Sequence, residues 1–132
     1  MNDLQRSMKL LELDPQFIKR EIRPCHIGAP DCITISEHTE HEYHVPVTLL
    51  DEADGIIFLC PVCFVANKGD VGTHAIICWR PRVPLDIKPG PGRWEFHGTG
   101  LNDLTLTAGS SSIFLTTAEC KAHFFITAGE IR

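Results

Sequence analysis

Along most of this chain apolar and polar residues alternate, or apolar residues form short runs, which is the pattern of strands in a half-buried sheet. Such runs fall at Phe17–Ile22, Cys32–Ile35, Ile56–Leu59, Ala75–Trp79, Trp94–Phe96, Leu104–Thr107, Ile113–Thr116 and His123–Thr127. Turn formers separate them: Asp54-Gly55, Asn67-Lys68-Gly69-Asp70, Pro89-Gly90-Pro91-Gly92 and Ala128-Gly129. The N-terminus breaks this rhythm. Leu4, Met8 and Leu11, with Leu10 alongside, recur at helical spacing before Asp14-Pro15, which predicts a short helix over 1–14. No second strong helix is predicted. The expected fold is mainly β, a small antiparallel β domain with an N-terminal helix and a structural zinc site. Residues 1–50 are expected to form a helix and strand extension and 51–132 a zinc-stapled β core, together one domain.

Two segments depart from the strand pattern. Residues 36–48 include His38, His41, Tyr43 and His44 among Glu and Thr, and read as a polar, exposed loop. Residues 80–93 hold Pro81, Pro84, Pro89 and Pro91 together with Arg80, Arg82, Lys88 and Arg93, and read as a stiff extended connection.

Composition narrows the class. With 132 residues, 43% of them hydrophobic and 22% charged, the chain has apolar material for one modest core and is not compositionally disordered. A formal charge of −5 and a pI near 5.7 argue against nucleic-acid binding through a general basic surface, and against a polybasic membrane patch. The apolar runs fall far short of the ~20 residues that span a bilayer. The start, Met1-Asn2-Asp3-Leu4-Gln5-Arg6, lacks the apolar stretch of a secretory signal, so a cytoplasmic location is expected. In a reducing compartment the six cysteines are expected to bind metal or lie buried rather than form disulfides.

The chemistry is concentrated in two half-sites. Cys60-Pro61-Val62-Cys63 and, far downstream, Cys120-Lys121-Ala122-His123 each have the two-residue spacer that aims two donors at one tetrahedral ion. Together they make a Cys₃His shell for structural Zn²⁺. A more local set, Cys60, Cys63, His74 and Cys78, satisfies the same chemistry, and Cys78 also reads as a small buried hydrophobe in its strand. A redox role for Cys60 and Cys63 is disfavoured, because no helix is predicted after the pair to lower a thiol pKa. Cys25 and Cys32 are read as structural.

A nucleophile is the second candidate. In Ala108-Gly109-Ser110-Ser111-Ser112-Ile113 a serine at a sharp turn, with nearby amides for an oxyanion, has the makings of an acyl-transfer site. Such a serine needs a base, for which His74 is the candidate, with Asp103 to orient the imidazole. The alternative is a turn whose hydroxyls satisfy local backbone groups.

The order of these motifs resembles a known family. Cys60-Pro-Val-Cys63, Gly72-Thr73-His74, Pro89-Gly90-Pro91-Gly92-Arg93-Trp94, Asp103-Leu104-Thr105-Leu106 with Ser112-Ile113, and Cys120-x₂-His123-Phe124-Phe125-Ile126 before Gly129-Glu130-Ile131 resemble small phage-encoded zinc proteins. More distantly they resemble a bacterial serine-peptidase domain of ubiquitin-like conjugation operons. The resemblance covers about residues 55–132. Phage relatives are sometimes labelled ammonia monooxygenase, a chemistry of membrane-embedded copper complexes that nothing in this chain supports. The resemblance implies Ser112 as nucleophile, His74 as base, and Cys60, Cys63, Cys120 and His123 as zinc ligands; Asp103 as orienting acid is inferred from the residues. Where the relatives have one proline this chain has Ala108-Gly109-Ser110-Ser111. The implied partner is a protein or peptide, cleaved at a ubiquitin-like C-terminal tail. The alternative is a non-catalytic, zinc-stapled phage interaction or virion-associated protein, with the basic segment 80–93 between Trp79 and Trp94 as its contact surface.

Overall fold

The structure, a computed structural model, describes residues 8–24, 40–88, 92–107, 113–114 and 122–132. It is mainly β, with antiparallel pairing throughout the described residues. The strands are β1 (Met8–Lys9), β2 (Gln16–Pro24), β3 (Glu40–Val47), β4 (Gly55–Leu59), β5 (Ala75–Trp79), β6 (Glu95–His97), β7 (Thr105–Thr107), β8 (Ile113–Phe114), β9 (His123–Phe124), β10 (Ile126–Thr127) and β11 (Glu130–Ile131). Among the described residues there is one α-helix, α1 (Pro61–Asn67), which joins β4 towards β5.

Four strands in the order β3-β2-β4-β5 form the main sheet, and β1-β11-β10 form a second. Strand alternation gives the main sheet two working faces. Ile56, Phe58 and Cys60 from the β4 side and Ile76 and Cys78 from β5 enter the larger core, with Leu10, Leu13, Phe17, Leu104, Leu106, Ile113, Phe124 and Ile126. Of the residues between them, two point the other way. Ile57 and Ile77 meet Ile18, Trp79, Val83 and Ile87 in a smaller core on the opposite face. Gly55 sits directly across from Trp79, and a Cβ there would lie 2.6 Å from the indole, so the glycine makes room for the ring.

Three expectations change. Of the helix read over 1–14, the described part is β1 followed by a 3-10 turn at Leu10–Leu13, with residues 1–7 outside the described set. Met8 and Lys9 pair with Ile131 and Glu130, so a sheet partner overrides the helical spacing. Within the polar loop expected at 36–48, Glu40–Val47 is a strand paired with β2 over its whole length. It lies at the sheet edge, where polar side chains are tolerated: Arg20 clasps Glu42 at 2.6 Å and 2.9 Å, and Glu42 meets His44 at 3.0 Å. The guanidinium holds the Glu42 carboxyl below the usual carboxylate range. The third change is α1 itself.

Helix α1 is built from local signals. Pro61 occupies its first turn, where a missing N–H costs nothing. Lys68 turns left-handed at φ 57, its N–H bonds Val65 O at 3.3 Å, and the Gly69 N–H bonds Phe64 O at 3.0 Å. That is a Schellman ending. The strand read at Cys32–Ile35 lies outside the described residues.

Candidate metal centre

The β4–β5 register decides what meets at this centre. Gly55 pairs with Trp79, and the ladder runs to Leu59 and Ala75. One step further, Cys60 falls opposite His74, and the Cys60 N–H donates to the His74 carbonyl at 2.9 Å. Cys63 returns to the same place from the first turn of α1. The Sγ atoms of Cys60 and Cys63 and a ring nitrogen of His74 all lie within 4.8 Å of one another, so these three residues form a group able to hold a metal ion. Cys60 is buried, Cys63 half-buried and His74 exposed, so the group opens from the core towards solvent. Neither cysteine is in a disulfide.

Cys78 does not join them. It shares a strand face with His74, but four residues at ~3.3 Å each carry it ~13 Å into the core, where it pairs with Ile56 and is fully buried. Burial pushes its thiol pKa well up, leaving a neutral small hydrophobe. His123 lies outside the group as well. In β9 alternation sends Phe124 inward, its ring 6.0 Å from Phe58, and leaves His123 exposed with its ring 6.3 Å from Phe125. Of the four ligands implied by the two half-sites, the structure brings Cys60 and Cys63 together and adds His74. Cys120 lies outside the described residues.

No family model, curated protein or solved structure matches this chain. The donor set fits zinc: two thiolates and an imidazole are the borderline-soft ligands that Zn²⁺ prefers, and a harder ion would seek oxygen.

Of the second candidate site, His74 and Asp103 are among the described residues. Ser112, Ser110 and Ser111 lie outside the described residues. Asp103 belongs to a turn: its carboxylate accepts from the Thr99 N–H at 2.9 Å, the Thr99 hydroxyl at 2.8 Å and the Gly100 N–H at 2.9 Å. Those bonds, the Thr99 backbone first, hold its pKa below the ordinary value. None of its hydrogen bonds goes to His74.

In the segment 80–93, the described residues Arg80, Arg82 and Arg93 bond to the surrounding fold, and Arg82 and Lys88 remain exposed. Trp79 is fully buried and its indole N–H donates to Lys88 O at 2.9 Å. Arg93 donates to the carbonyls of Val83 at 2.9 Å, Ile87 at 3.0 Å and Gly92 at 2.7 Å, and also to that of Pro84. Arg80 donates to Leu50 O and Ala53 O and lies 5.4 Å over the Phe96 ring. Arg82 pairs with Asp54 at 3.0 Å. Exposed apolar side chains include Leu85 in this segment, Val62 and Val65 on the outer face of α1, and Val71 in the turn that follows.

The helix at the Cys-x₂-Cys pair was the feature sequence reasoning missed. Its signals were present: proline directly after Cys60, and Asn67-Lys68-Gly69 as a helix stop. The ground for setting aside redox chemistry at this pair, that no helix follows it, falls with that finding.

Proposed function

We propose that this chain is a zinc-stapled β module whose work is binding a protein or peptide partner rather than serine hydrolysis. The observation that carries the reading is the convergence of Cys60, Cys63 and His74 within 4.8 Å. Zinc there ties the end of β4, the first turn of α1 and the entry to β5 into one unit. Cys120 is the fourth ligand in this reading. What supports it is the chemistry of the donor: a third thiolate completes the tetrahedral Cys₃His shell that structural zinc takes.

The same convergence weighs against catalysis. An imidazole nitrogen bound to zinc has no lone pair for a serine proton, so a ligand His74 is not a general base. The Asp103 carboxylate is already occupied by its turn. The resemblance to phage zinc proteins and to the bacterial peptidase domain then carries over as fold and metal, with the serine site left unused. Val62 and Val65 on α1 and Val71 in the turn after it are exposed apolar positions in the segment between Cys60 and His74, and they are where a partner would be met.

Metal analysis of purified variants tests the assignment. Cys60→Ser, Cys63→Ser, His74→Ala and Cys120→Ser are expected to lose zinc, whereas Cys78→Ala and His123→Ala keep it. Full zinc retention in His74→Ala, with loss in His123→Ala, contradicts the ligand set. A fluorophosphonate probe tests the functional half: no labelling is expected, and labelling that disappears in Ser112→Ala would establish the hydrolase instead.

A further inference from the structure

Cys60 and Cys63 differ in access although their sulfurs meet. Cys60 closes β4 inside the core, while Cys63 is half-buried on α1. A helix of seven residues has little stability of its own, and the outer face of α1 presents Val62 and Val65 to solvent. Its inward anchors are Pro61, Phe64 and the Cys63 sulfur. Resting on the metal reading above, we propose that this centre is a redox-gated staple: a hydroperoxide converts Cys60 and Cys63 to a disulfide and the zinc leaves.

The chemistry follows from the geometry. The more accessible Cys63 thiolate attacks a peroxide oxygen; an S–O bond forms, the O–O bond breaks, and the leaving oxygen takes a proton to depart as water or alcohol. The Cys60 thiolate, within 4.8 Å, then attacks the Cys63 sulfur. An S–S bond forms, the S–O bond breaks, and hydroxide leaves as water after taking a second proton. Two thiolates are oxidised and one peroxide is reduced. Sulfurs sharing a zinc sit ~3.8 Å apart by tetrahedral geometry at ~2.3 Å per bond, and closing to the ~2.05 Å of a disulfide is a small movement. The ion then keeps neither thiolate, and His74 loses its tie to α1. The loop between them retains its own bonds, Asn67 to Thr73 at 3.1 Å and Thr73 to the Gly69 carbonyl at 2.7 Å. Oxidation therefore loosens α1 first.

The test begins by measuring zinc in the purified full chain. If none is bound, the zinc reading fails and this inference fails with it, before any oxidant is added. The zinc-loaded protein is then titrated with hydrogen peroxide in the presence of a chromogenic chelator. Digestion before aspartate isolates Cys60 and Cys63 in the peptide 54–69, separate from the other four cysteines. Support is stoichiometric zinc release, a peptide 54–69 lighter by two hydrogens, faster amide exchange over 61–67, and recovery of zinc binding after dithiothreitol and added Zn²⁺. Zinc retained under peroxide overturns the inference while leaving the metal reading intact. So does release that leaves 54–69 reduced or carries it to sulfinate.

Discussion

Replacing His74 with alanine separates a ligand from an ordinary surface histidine. The side chain is exposed, and its backbone carbonyl still accepts from Cys60 in the variant. In metal-free protein the substitution should therefore change stability by no more than about 0.5 kcal/mol, as for most surface positions. With zinc the wild type gains RT ln(1 + [Zn]/Kd), which is ~2.7 kcal/mol at one hundred times Kd and ~4.1 kcal/mol at one thousand times. A variant that has lost one ligand forfeits most of that gain. At roughly 3 to 5 °C per kcal/mol for a domain of this size, the expected difference in Tm is on the order of 10–20 °C with zinc and close to zero in EDTA. The assay is paired thermal denaturation of both proteins under each condition. An equal drop in Tm with and without zinc would refute the reasoning, since it would make His74 a packing residue.

Other positions test the frame around the site. Gly129 has φ 77, and a Cβ there would lie 2.1 Å from the Asn102 carbonyl oxygen, so Gly129→Ala should cost at least ~2 kcal/mol from strain and overlap; chemical denaturation showing a loss below 0.5 kcal/mol would contradict it. Asp103→Asn should be destabilising at neutral pH. The folded pKa of Asp103 lies below its ordinary 3.8, so the carboxylate contributes stability above that value and loses it as pH falls through the lower folded pKa. The gap between wild type and variant should therefore narrow as the pH falls below 3.8, and a gap independent of pH would exclude the turn's charge-assisted bonds. Arg93→Ala removes the donor to four carbonyls, and at 1.5–3 kcal/mol for a bond to a charged group it should open residues 83–88 to proteolysis with zinc content unchanged.

The legible parts of this molecule were those set by local pattern. The β4 and β5 runs, Ile56–Leu59 and Ala75–Trp79, were plain because both faces of those strands are packed. Cys-x₂-Cys was plain because the spacing is itself the metal chemistry. Strand β3 was hidden because an edge strand carries Glu42 and His44 outward, and the pairing to Arg20 that explains them is a tertiary contact. Helix α1 was hidden by its length: seven residues are too few for a helical period to declare itself, and Val62 and Val65 face solvent rather than a core. The approach of His74 to the two cysteines depended on register. Once Gly55 is set opposite Trp79, the ladder carries Cys60 to His74, but the sequence does not state which residues of the two strands face one another. The bonds of Arg80, Arg82 and Arg93 were hidden because the carbonyls that accept them belong to turns only the fold creates.

X-ray absorption at the zinc edge of the purified, metal-loaded chain measures the central claim most directly. The account predicts sulfur scatterers at ~2.3 Å together with an imidazole nitrogen at ~2.0–2.1 Å, and loss of the imidazole signature in His74→Ala. A shell made only of nitrogen and oxygen, or an imidazole signature that persists in His74→Ala, would contradict it.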